Sequence, residues 1–251
     1  MNVLITGTGS GMGRATAEHL AARGFRVFGG DLPELDVRRD DLVAAFVDHA
    51  MREAGRIDAV VNNAGYGLAG AVEETSLEEA RAQFETNFFG VARLVRAVLP
   101  IMRAQGTGRI VNVSSGAGIT AGPFHAFYSA SKFAVEGYTE ALRHEVAPFG
   151  VHVSLVQPGS FRTNVARHAK RAAGAIAAYD GPRERVIGAV RQYCDAGAEP
   201  AVMARAIEKI LRARTPRLRY RVGSDVRFGF WMRRLLPESV FQPMVARWYG
   251  V

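Results

Sequence analysis

A chain of 251 residues with a single cysteine, Cys194, cannot close an internal disulfide, and no Cys/His cluster with metal-ligand spacing accompanies it. A disulfide-stapled secreted scaffold and a zinc-type centre are therefore excluded. The chain start carries no charged segment followed by an apolar core and cleavage site, so a reducing cytoplasm is the expected compartment. No apolar run reaches transmembrane length, and there are no repeats or low-complexity tracts. A lone cysteine without a recognisable base reads as packing rather than as a nucleophile. Lysine is scarce, with only Lys132, Lys170 and Lys209.

What is present is a hydrophobic content of 48% in a length that suits one α/β domain with a sizeable core. Strands are expected at 2–6, 25–29, 57–61, 109–113, 151–156 and 219–222, with helices between them, including 40–54 and 128–147. Such alternation argues a doubly wound, mostly parallel sheet of six to seven strands. The first strand meets glycine at once, and Gly7, Gly9, Gly11 and Gly13 permit a tight turn before the helical pattern that starts at Arg14. In a strand-turn-helix-strand unit the helix N-terminus attracts a pyrophosphate, and the glycines let the backbone approach it. Gly7, Gly9, Ser10, Gly11, Met12 and Gly13 are thus candidate contacts to a dinucleotide. Asp31 follows Gly13 by eighteen residues, where a carboxylate accepts from both adenosine ribose hydroxyls and repels a 2′-phosphate. With Ser10 uncharged, NAD(H) is favoured over NADP(H). The competing reading of Asp31 is a turn cap.

Tyr128 and Lys132, four residues apart in YSASK, fall on one helix face, with Ser115 upstream. A phenol with a reference pKa of about 10 needs roughly 4 kcal/mol to ionise at neutrality. One positive charge at about 4 Å and an effective dielectric of about 20 supplies roughly that. Ser115, whose hydroxyl donates and accepts, can hold a substrate oxygen beside the phenol. Taken alone, a Tyr-x-x-x-Lys pair arises by chance in roughly one such chain in ten.

The conjunction is far more specific. Thr6-Gly-x-x-x-Gly-x-Gly13, Asn62-Asn-Ala-Gly65, Asn87, Ser115, Tyr128-x-x-x-Lys132 and Pro158-Gly159 together resemble the short-chain dehydrogenases/reductases over residues 2 to about 164. The resemblance implies a Rossmann-type fold, with Tyr128 as general acid/base and Ser115 orienting the substrate oxygen. Lys132 would bind the nicotinamide ribose and lower the phenol pKa, and Asn87 would hold a water that links Lys132 to solvent. Asn62 to Gly65, of which Asn63, Ala64 and Gly65 are the candidate contacts, match the adenosine side. Pro158, Gly159, Phe161 and Thr163 fall in the nicotinamide segment. Local alternatives are a helix-satisfied Asn87 and a capping Thr163. The stretch from Phe127 to Asn164 looks most like the subgroup of retinol and 17β-hydroxysteroid dehydrogenases, which points to apolar alcohols or ketones. Homodimers or homotetramers are what the resemblance suggests.

One departure stands out. The family usually has a helix and a further strand after Asp31, whereas here Leu32 to Val37 leads directly into the helical pattern 40–54. A crossover needs a dozen or more residues, so the third strand is either vestigial or absent. Asp36 and Val37 resemble the pair that flanks adenine, in a shortened loop.

Residues 160–200 are expected to form a substrate lid, with Phe161, Ile176, Tyr179, Ile187 and Tyr193 as apolar candidates and Phe124, His125 and Phe127 beside Tyr128. Residues 201–251 hold eleven Lys/Arg against three Asp/Glu, which accounts for the whole net charge of +8. Arginines mixed with aromatics there fit a tail packed on the pocket or a second subunit, a membrane-surface helix, or a nucleic-acid contact, the last being least favoured. The functional expectation is hydride transfer between NAD(H) and an apolar alcohol or carbonyl substrate. The alternatives are a non-catalytic NAD(H) sensor or scaffold, and epimerase chemistry, which the length disfavours.

Overall fold

A computed structural model describes residues 1–163 and 169–251. Part of the expected lid, 164–168, lies outside the described residues. Six strands form one parallel sheet: β1 (Asn2–Thr6), β2 (Arg26–Gly30), β3 (Ala59–Asn62), β5 (Gly108–Val113), β6 (Val151–Pro158) and β8 (Arg219–Val222), in the order β2-β1-β3-β5-β6-β8. A separate two-stranded ribbon pairs β4 (Leu68–Ala69) with β7 (Lys170–Arg171). The helices are α1 (Gly11–Ala22), α2 (Asp40–Ala54), α3 (Leu77–Phe84), α4 (Gly90–Gln105), α5 (Ala126–Val146), α6 (Ala177–Asp195), α7 (Pro200–Arg212), α8 (Ser224–Leu235) and α9 (Glu238–Trp248).

Apolar runs become central strands because both faces are covered. Along β1, Val3 and Ile5 enter one core layer with Val61, Val111, Met203 and Ile207, while Leu4 enters the other with Val60, Ile110, Leu94 and Val95. Helices α1 and α7 cover the first face, and α2, α4 and α5 the second. Start signals in the sequence act locally: Ser76 and Glu79 close a capping box on α3. The chain steps from β1 outward to β2 and then back across to β3, so a crevice opens at the carboxyl ends of β1 and β3.

The question of the third strand is answered by residues 31–39, which turn and enter α2 directly, with no strand between β2 and α2. The sheet therefore has six strands and ends at β2. Leu35 and Val37 anchor the shortened loop: Leu35 packs against Gly30, and Val37 against Gly90, where a Cβ would stand 2.6 Å from Val37 Cγ2. Strand bounds shift slightly from expectation, most at β3, which starts two residues later, and β6, which ends two residues later.

Candidate active site

The glycine loop leaves β1 at Thr6 and turns through Gly7, whose φ is +72° and whose N–H donates to Gly30 O at 2.8 Å. At Gly13 a Cβ would lie 2.0 Å from Gly7 O, so only hydrogen fits where α1 meets the loop. Ser10 precedes α1 without capping it by its side chain. The first-turn N–H groups are thus left for an anion, as a pyrophosphate requires. Gly11 faces Thr163, and the two line a cavity of about 360 Å³ together with Arg14 and Arg162. Arg14, whose guanidinium donates to Gly9 O, adds a cation beside the loop that the glycine pattern did not single out.

Asp31 stands at the end of β2 and accepts from Gly9 N and Leu32 N. Thr6 Oγ1 accepts from Asn63 N at 3.1 Å and Ala64 N at 3.0 Å, and Asn63 Nδ2 donates to Thr6 O at 3.0 Å and Gly7 O at 3.2 Å. This stitching holds Asn63 and Ala64 against the glycine loop. Asn62 behaves differently: its amide donates to Asn112 Oδ1 at 2.8 Å, and Asn112 donates to Thr139 Oγ1 at 2.9 Å. Asn62 is therefore a buried structural residue. Asp36 is held by Arg38, which lowers its carboxyl below the ordinary range. The Val37 side chain is buried in the core. The loop glycines, the open helix N-terminus and Asp31 fit a dinucleotide.

Three elements bring the acid/base residues together. Tyr128 and Lys132 occupy the first and second turns of α5, and Ser115 caps a single 3-10 turn (Gly116–Gly118) after β5, accepting from Ala117 N at 3.1 Å. Asn87 lies in a π-helical turn (Glu85–Phe89) between α3 and α4, a widening often found at functional sites. Its Oδ1 accepts from Tyr66 N at 3.0 Å, and its Nδ2 donates to Tyr66 O at 3.0 Å and Ser131 Oγ at 3.1 Å. Lys132 Nζ donates to Val113 O at 3.0 Å. A Cβ at Gly65 would stand 3.0 Å from Asn87 Oδ1 and 3.7 Å from Lys132 Nζ, so Gly65 borders both.

Electrostatics depart from expectation at the phenol. Burial raises Tyr128 above the usual tyrosine range, and the hydrogen bond with Ser115 offsets this only in part. Lys132 does not reverse the shift, because its ammonium is directed at Val113 O and is itself lowered to about 8 by burial. The phenol is therefore protonated at neutral pH.

On the substrate side, Phe124 adopts φ +56°, unfavourable for a residue with a Cβ, and its carbonyl accepts from Gly70 N at 2.9 Å. Its ring meets Tyr179 of α6 at 6.1 Å. His125 has Nδ1 2.9 Å from Pro123 O, and burial lowers its pKa. The expected lid is tied down by carboxylates: Tyr179 donates to Glu73 at 3.0 Å, while Glu74 accepts from Ile176 N at 3.0 Å, Ala71 N at 3.0 Å and the Arg183 guanidinium. Phe161 is 3% exposed, its side chain in the core cluster of Met203 and Ile207.

Two residues of the site were not anticipated. Asp225, just beyond β8, accepts from Ser160 N, and a Cβ at Gly159 would lie 1.9 Å from its Oδ1, so Asp225 fixes the Pro158–Gly159 turn. Tyr249, almost at the chain end, packs against Gly122 and lies close enough to Tyr128, Tyr193 and Cys194 for their charges to raise its phenol, after burial. Burial raises the Cys194 thiol as well. Only the unusual aromatic content of the tail hinted at Tyr249.

Comparison with known proteins agrees with this fold. Residues 31–174 match the family model for short chain dehydrogenase. The chain is 37% identical to 3-ketodihydrosphingosine reductase of Bacteroides thetaiotaomicron, with 99% of this chain and 98% of that protein covered. A short-chain dehydrogenase of Streptomyces avermitilis superposes with a TM-score of 0.82 at 34% identity, covering 98% of this chain and 96% of the other. A short-chain dehydrogenase/reductase of Burkholderia phymatum, solved in complex with NAD, gives 0.79 at 26%, covering 96% and 94%. A nicotinamide cofactor, NAD or NADP, is thus common ground with its neighbours, and the chain belongs to the short-chain dehydrogenases/reductases as an NAD(P)-dependent oxidoreductase.

Proposed function

We propose that this enzyme transfers a hydride between NAD(H) and an apolar ketone or secondary alcohol, with Tyr128, Ser115 and Lys132 as its acid/base unit. The observation that carries the reading is the placement of Tyr128 and Lys132 one turn apart on one side of α5, with Ser115 at the end of β5 in hydrogen-bond contact with the Tyr128 phenol. When bound, the cofactor supplies the hydride. The glycine loop and the α1 N-terminus would hold its pyrophosphate, and Asp31 its adenosine ribose.

In the reductive direction Ser115 donates to the carbonyl oxygen and Tyr128 gives its proton as negative charge develops there. Lys132 then lies beside the phenolate that remains. Asn87 fixes the backbone at Tyr66 and the Ser131 hydroxyl of α5, which holds the wall behind Lys132. A ketone on a long apolar chain is the preferred substrate class. The likeness to a relative named for 3-ketodihydrosphingosine supports it, as does the ring contact of Phe124, four residues before Tyr128, with Tyr179.

Side-by-side titration with NADH and NADPH, followed by nicotinamide fluorescence, tests the cofactor half, and tighter NADH binding is expected. For the chemical half, Tyr128→Phe keeps NADH affinity and loses about 10³-fold in turnover of an apolar ketone. Retention of most of the rate would show that another group moves the proton.

A further inference from the structure

Helix α8 presents Phe228, Trp231 and Leu235 at i, i+3 and i+7, and they are 52%, 55% and 71% exposed. The Phe228 ring meets Trp248 of α9 at 5.8 Å, and Trp248 and Val240 are 38% and 51% exposed. One apolar surface therefore runs across both helices, although single exposed apolar residues would need no explanation. Arg227 and Arg234 flank it, both exposed and in helical register with Trp231 at i, i+4 and i+7, with Arg227 Nε donating to Arg221 O at 3.2 Å. Neither forms an ion pair among the described residues, nor do Arg233 and Arg247. The two carboxylates of 224–251 do not neutralise them: Asp225 is engaged with Ser160 N, and Glu238 starts the other helix. The inner side is spoken for, with Val226 buried and Phe230 lying under Arg221.

We infer that this α8–α9 surface docks on an anionic lipid surface, the aromatic and aliphatic side chains entering the interface and Arg227 and Arg234 meeting the headgroups. A second copy of the chain suits the patch less well. A two-fold contact would bring the same surface against itself, with arginine facing arginine. The position of the patch gives it a consequence that rests on the oxidoreductase reading. Trp248 lies in the patch while the next residue, Tyr249, packs against Gly122 near Tyr128, so docking puts the region of Tyr128 at the lipid boundary, where an apolar substrate is dissolved.

Trp231 and Trp248 are the only tryptophans in the chain, which makes intrinsic fluorescence a direct reading of the patch. The full chain, without cofactor or substrate, is mixed with vesicles of phosphatidylcholine alone or with phosphatidylglycerol added. A blue shift and co-flotation are expected only with the anionic vesicles, reversed by high salt. Arg227→Gln with Arg234→Gln weakens that binding about 30-fold, at about fivefold per arginine, with NADH affinity retained as the sign of an intact fold. Absence of a shift with anionic vesicles, equal binding to phosphatidylcholine alone, or an unaltered double variant overturns the proposal. A mass in solution that drops on Trp231→Ser, without vesicle binding by the wild type, would make the patch a subunit interface instead. Because the readout needs no turnover, failure of the hydride-transfer reading leaves this test intact.

Discussion

Lys132 illustrates how burial sets the chemistry of single residues here. Its folded-state pKa of about 8 is below the ordinary 10.5. Below pH 8 the ammonium is protonated in both states and the burial cost is fully present. Between about 8 and 10.5 the unfolded chain binds more protons, so the contribution of this group to stability rises with pH. The shift corresponds to about 3 kcal/mol, less about 1 kcal/mol for the bond to Val113 O. Lys132→Met is therefore expected to be more stable than wild type by about 2 kcal/mol at pH 7, the gap closing near pH 10 in urea unfolding. An unchanged gap would mean that the ammonium is solvated. Asp31 acts on selectivity: Asp31→Ser should improve NADPH binding relative to NADH at least about tenfold, since one carboxylate is removed from the position of the 2′-phosphate. Equal ratios for both proteins in the fluorescence titration would reduce Asp31 to a turn cap.

The lid region shows what an element needs beyond its own sequence. Helix α6 carries few buried residues, chiefly Val186 and Ile187, so its apolar packing alone anchors it weakly. Glu74 and its neighbours replace that deficit, binding Ile176 N and Arg183 from the far side, while Glu79 accepts from Ala173 N at 2.9 Å. Glu74→Ala strands the N–H groups of Ile176 and Ala71 and leaves Arg183 only its exposed partners Asp180 and Glu184. Limited proteolysis within 172–183 should accelerate about tenfold or more, while α5 and the sheet keep their protection. Uniform acceleration along the chain would show that Glu74 supports the whole fold rather than the lid.

For the molecule as a whole, the basic excess of the tail has two destinations. Arg212 pairs within α7 with Glu208, which also meets His19 of α1, and donates to Arg23 O, while Arg219 ties β8 to Glu136 and Glu140 of α5. The arginines of α8 and α9 remain on the surface. Cofactor binding is a property of the folded crevice alone, so NADH at about 100 times its dissociation constant adds about 2.7 kcal/mol to stability. For a chain of this size the melting temperature then rises by about 5–10 °C. A melting temperature unmoved by NADH or NADPH, measured by scanning fluorimetry, would leave the glycine loop without its ligand. No helix among the described residues is long and apolar enough to cross a membrane, which leaves peripheral contact as the mode open to α8 and α9.

Local order was legible in the chain because periodicity, glycine placement and capping act over a few residues. Helix α2 spans 40–54 and β8 spans 219–222 as their patterns required, and the Tyr128–Lys132 spacing sets both on one side of α5. The missing third strand was legible only as a shortage of residues. Which side chains enter the core was not, since Phe161, Val37 and Asn62 share motifs with exposed neighbours and differ only in direction. Tertiary structure alone decided the rest. It brought Asp225 onto Gly159 and Tyr249 close to Tyr128, across more than sixty and more than a hundred residues of chain, and no spacing rule spans such distances. The phenol's raised pKa has the same origin: sequence supplied a lysine four residues away, but burial and the direction of its ammonium, both fixed by packing, outweighed that proximity.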